Sequence, residues 1–204
     1  MSKKAKTHLE ELQEALQGAT QALETAQERQ GQARESLVTL EREVRELHPD
    51  DRPARIPEVL AARELAFLSE QDLRDSETYL RETEVDLAYE LLAEAAKVAE
   101  ETFRKRQEAH AALNAALVEQ RRFFNGGRGR VHQEKGPEAA AKAAADLAVN
   151  LAKARGNAES TQATYNRAAR AKEDAETVYL AARRRIAEAQ ALAPKRGGAY
   201  AVAP

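Results

Sequence analysis

LEELQEALQGATQALETAQERQGQARESLVTLEREVREL, residues 9–47, places Leu9, Leu12, Leu16, Ala19, Leu23, Ala26, Gln30, Ala33, Leu37, Leu40, Val44 and Leu47 in unbroken steps of three and four. Such spacing holds one stripe on one side of an α-helix, and a 3.5-residue period sustained this long marks helices that wind about a partner. With Leu9 as heptad position a, Ala19, Ala26 and Ala33 fall at d, and Ala15 and Ala22 at g. Small residues there let a second backbone come close. Charges at e and g are sparse, which favours burial among several helices over a simple zipper. Gln30 interrupts the stripe, as a register-setting polar residue does.

The stretch that follows, HPDDRPARIP (48–57), carries three prolines. Proline lacks an amide donor and pushes its predecessor out of the helical region, so the spacing predicts a stiff reversing connector with Pro57 opening the next helix. Residues 58–125 contain neither proline nor glycine and read as one helix, roughly 100 Å long at ~1.5 Å per residue. Leu73, Leu80 and Leu87 keep a heptad; Leu91, Val98, Leu113, Leu117 and Phe124 then drift toward a longer period, which implies a change of supercoil or of partner.

NGGRGRVHQEKGP ends on Pro137, and residues 126–137 read as a second connector. A third helix is predicted over 138–193. Its stripe runs Leu147, Leu151, Ala154, Ala158, Thr161, Tyr165, Ala168, Lys172, Ala175, Tyr179, Ala182, Ile186, Ala189, with Lys172 the second polar register residue. Residues 194–204 read as an irregular tail. The expectation is an all-α, elongated, up-down-up three-helix coiled-coil-like bundle, a single domain over residues 1–193.

Composition agrees with that thin-cored design. Apolar residues make up 43% of the chain, and 44 of them are alanine. The formal net charge of -2 gives no whole-molecule attraction to nucleic acid or anionic membrane. With no cysteine there is neither disulfide nor thiolate chemistry. No signal peptide and no membrane span is read, so the expected location is the cytoplasm or the inside of a virion. Abundant Ala and Arg suggest a bacterial or phage source.

His8, His48, His110 and His132 are far apart, and no Glu-x-x-His motif of the kind used in di-iron bundles occurs. No metal, cofactor or catalytic residue is therefore expected, and the chain reads as a non-enzyme. The most suggestive local feature is RRFFNGGRGRVHQEK, residues 121–135, where Arg121, Arg122, Arg128, Arg130 and Lys135 surround two phenylalanines. Arginine beside aromatics can track phosphates while bases stack, although a glycine reversal with arginines satisfying a helix C-terminus accounts for the same residues. No GK[ST] follows, so this is not a phosphate loop of that kind. Arg183, Arg184 and Arg185 read as a solvated face near a helix end.

These readings point to a structural or assembly protein: a scaffold, spacer or ring-forming subunit of a bacterial or phage assembly. Its expected partners are itself or other assembly proteins, met through exposed apolar stripes. The alternative is a coiled-coil protein that binds nucleic acid or anionic membrane through the basic 121–135 tip.

Overall fold

The structure is a computed structural model and describes residues 7–192. Over these residues the protein is all-α: three long helices, α1 (His8–Glu46), α2 (Arg52–Arg122) and α4 (Pro137–Leu192), with the short helix α3 (Arg128–Lys135) between the last two. The tail expected at 194–204 lies outside the described residues. The helices group into two compact units. Of the described residues, one takes 7–91 and 178–192; the other is Leu92–Thr177.

In the first unit, α1 begins on a capping box. The Thr7 hydroxyl accepts from the Glu10 amide at 3.3 Å, and the Glu10 carboxylate accepts from the Thr7 amide at 2.8 Å. At the other end Leu47 turns extended and His48 precedes Pro49, which stops the helix. Arg52 then reaches back and donates to the carbonyls of Leu47 (3.1 Å) and Arg45 (2.9 Å), groups that a helix end leaves without partners. This anchoring corrects the expected connector at 48–57. The second helix starts at Arg52, with Pro53 in its first turn, where a missing amide donor costs little, and Pro57 inside it.

α1 and the first part of α2 run antiparallel. The contacts His8–Glu90 (3.9 Å), Arg34–Glu70 (3.6 Å) and Arg63–Glu41 (2.7 Å) climb one helix as they descend the other. In α1 every residue of the stripe from Leu9 to Leu47 is buried or half-buried. The deepest are Ala19, Ala26 and Ala33. The register of the ion pairs sets these level with Thr83, Ser76 and Ser69, and Thr83 and Ser69 are themselves buried. Small side chains meet small ones at each heptad, so the backbones approach closely. The hydroxyls of Thr83 and Ser69 satisfy themselves within α2, donating to the Tyr79 and Ala66 carbonyls.

The end of α4 packs on a different face of α2. Tyr89 and Tyr179 meet at 5.8 Å between ring centroids, and Arg185 bonds Glu84 at 3.2 Å. α2 therefore carries two covered stripes between Glu77 and Glu90: Leu80, Thr83 and Leu87 on the α1 side, and Arg81, Glu84 and Ala88 one residue further on, about 100° round the helix. The drifting period implied a change of supercoil or of partner; along this stretch α2 meets a second helix on a second face.

In the second unit, α2 and α4 pair antiparallel over an alanine seam. Ala99 and Ala109 of α2 and Ala158 and Ala168 of α4 are buried. No large side chain among the described residues is fully buried, so packing depends on backbone proximity. Phe103 and Tyr165 cross the seam at 5.6 Å, and the Arg106 guanidinium lies 5.0 Å from the Tyr165 ring centre.

Candidate functional site

The tip of the second unit is built by two glycines that break helices and two that do not. α2 ends at Arg122, and a wide turn, Phe123–Gly127, follows. Gly126 adopts φ 153° and Gly136 φ 87°, conformations that L side chains rarely take. Gly127 and Gly129 stay helical, so the expected irregular connector at 126–137 is corrected to a turn, the helix Arg128–Lys135 and a single-residue break before Pro137. A glycine marks a break only where the backbone needs positive φ. The second helix accordingly stops at 122, short of the expected 125.

This folding gathers part of the basic cluster. Arg121, Arg122 and Arg130 line one open pocket of about 680 Å³, together with Val118, Glu119, Phe123, Asn125, Gly126, Gly127 and, from α4, Leu147. Arg128 and Lys135 are exposed and do not line it. Phe123 is half-buried and meets Phe124 edge-to-face at 5.5 Å, with ring planes at 83°. Phe124 is 52% exposed. Among the described residues no carboxylate pairs with Arg121, Arg122 or Arg130. The carbonyls at the α2 C-terminus favour positive charge here, and the first amide of α3, that of Arg128, donates to the Phe123 carbonyl.

The other expected residues lie elsewhere. Gln30 is half-buried on the α1 seam, as its place in the stripe requires. Lys172 departs from its stripe: it is exposed, and it lines an open groove with Phe103, Tyr165, Glu100, Glu173 and Glu176. Arg183 stacks on Tyr179 at 5.8 Å, and Arg185 holds Glu84.

Arg106 is the residue that sequence reasoning missed. Its Nε is buried without a hydrogen-bond partner, and its charge faces the rings of Phe103 and Tyr165. The one available signal was Phe103 three residues ahead of it on the same helix. No helix of the described residues is long and apolar enough to cross a membrane. Compared with known proteins, the chain matches no family model, no curated protein and no solved structure.

Proposed function

We propose that this protein is a non-enzymatic helical scaffold that assembles with a second copy of itself through one face of α2. A single observation carries the reading. The α2 face covered by α4 at Arg81, Glu84 and Ala88 continues back along the helix through the charged residues Glu77, Arg74 and Glu70 to Phe67, Leu60 and Ile56, which are 59%, 58% and 51% exposed. The described part of α4 reaches the level of Thr78 with Ala189 and Gln190 and ends at Leu192. Val38 of α1 is likewise 55% exposed. Large exposed apolar residues at helical spacing, on a face that leads on from an existing helix–helix seam, make a surface suited to another helix.

The face is self-complementary about its midpoint. An antiparallel second α2 sets Leu60 of one copy beside Phe67 of the other, and Arg63 beside Glu64. Opposite charges at the centre and large apolar residues on both sides favour the two-fold arrangement, the commonest closed symmetry. Composition rather than this face supports the further proposal that the dimer serves as a spacer or subunit within a bacterial or phage assembly, in the cytoplasm or a virion.

Light scattering behind size exclusion, across a wide concentration range, tests it. The expected mass is twice 22.5 kDa, falling to 22.5 kDa when Leu60→Glu and Phe67→Glu are combined. A strict monomer at every concentration, or a dimer indifferent to both substitutions, overturns the proposal.

A further inference from the structure

We infer that the tip pocket of the second unit binds single-stranded nucleic acid, holding a backbone phosphate among Arg121, Arg122 and Arg130 while Phe124 offers a stacking face to a base. This is independent of the self-assembly reading, which uses residues of the other unit.

Charge converges at the tip. In the first unit Arg34, Arg45, Arg55, Arg63, Arg74, Arg81 and Arg185 each hold a carboxylate within ion-pair distance, while among the described residues Arg29, Arg42, Arg183 and Arg184 hold none and do not share a pocket with one another. At the tip three arginines converge on one concavity and none is paired among the described residues. The pocket's own acid, Glu119, makes no ion pair with them. Between positions 118 and 136 five basic side chains face only Glu119 and Glu134. Convergent, unpaired guanidinium groups repel one another unless an anion lies between them, and a planar fork of donors matches phosphate oxygens.

Shape and aromatic placement narrow the anion. A pocket of about 680 Å³ exceeds a lone phosphate and has room for a nucleotide. Its wall residue Phe123 meets Phe124 edge-to-face, and Phe124, which stands outside the pocket lining, is half open to solvent next to it in the chain. A charged groove next to an open ring is the pairing that single strands use, because every unpaired base has a face to stack. A duplex offers no free base face. An anionic bilayer presents its phosphates on a broad surface, which a concave pocket with one exposed ring meets poorly.

The test is fluorescence anisotropy of the full chain with a labelled oligothymidine and an oligouridine at low salt. Binding is expected to weaken with salt, with a log–log slope of about -2 for three phosphate contacts on a single strand. Combining Arg121→Ala, Arg122→Ala and Arg130→Ala should lower affinity at least about tenfold, and Phe124→Ala about tenfold through lost stacking. Arg183→Ala with Arg184→Ala, which removes charge far along α4, should change it less than about twofold. Three results overturn the inference: no binding by the unaltered chain at low salt, equal losses from the α4 variant and the tip variant, or binding to phosphatidylserine vesicles or duplex that matches or exceeds binding to the single strand.

Discussion

In the first unit the seams are flanked by charge: Arg63 holds Glu41, Arg34 holds Glu70, Arg55 holds Glu43 and Arg185 holds Glu84, each crossing from one helix to another. In the second unit no ion pair among the described residues crosses from α2 to α4, and a tilted Phe103–Tyr165 pair with Arg106 stands at the seam instead. Both units close on alanine, yet they fix register by different chemistry. Exposed ion pairs contribute little free energy, because water screens them and two long side chains lose freedom to form them. They discriminate between registers, since a slip of one heptad would set like charges opposite each other. An aromatic pair contributes more, because it removes apolar area from water as well as fitting in only one place.

This contrast can be broken at several points. The largest effect is expected where the seams are alike. Ala26→Leu in the first unit and Ala168→Leu in the second should each destabilise by about 3 kcal/mol, because helices in close approach have no room for a branched side chain. Thermal unfolding followed by circular dichroism measures it, and a loss under about 1 kcal/mol at either site would mean the helices are not in close approach there. Next comes Tyr165→Ala, expected to cost about 2 kcal/mol and to raise amide exchange across residues 92–177. Uniform protection in that variant would show that the ring is not what holds the pair of helices.

A smaller effect separates the units more sharply. Arg63→Ala should cost no more than about 0.5 kcal/mol, since its side chain is 60% exposed. Smallest of all, raising salt toward 1 M, where the screening length falls to about 3 Å, should loosen amide protection slightly in α1 and leave the Phe103–Tyr165 region unchanged. Equal salt sensitivity in both regions would remove the distinction.

Much of this was legible in the chain. The stripe from Leu9 to Leu47 is the covered face of α1 residue by residue, because steps of three and four keep all its apolar positions on one side of the helix. The stripe of α4 is equally faithful except at Lys172. The drift after Leu87 was readable as a change of supercoil or of partner, but the faces α2 gives to α1 and to α4 overlap for a dozen residues, and two superposed periods resemble one irregular one. α3 was hidden because Gly126, Gly127, Gly129 and Gly136 look alike as letters, and only the fold decides which take positive φ. At the tip the basic cluster was visible as a list of five residues. Which three share a pocket depends on the angle at which the chain turns between α2 and α3, and no spacing encodes that. Arg106 was hidden because its aromatic neighbour Tyr165 lies on another helix.

The stretch of α2 from Glu77 to Glu90 answers to two partners at once. Leu80, Thr83 and Leu87 belong to one interface, and Arg81, Glu84 and Ala88, their immediate successors, to another. In evolutionary terms, a substitution along this stretch answers to two sets of contacts rather than one. A deletion of one residue would turn Arg81, Glu84 and Ala88 toward α1 and bring Glu82, Val85 and Tyr89 to the α4 side in their place. Across relatives, neighbours such as Thr83 and Glu84 should therefore vary independently of each other, Thr83 in step with Ala19 of α1 and Glu84 in step with Arg185 of α4.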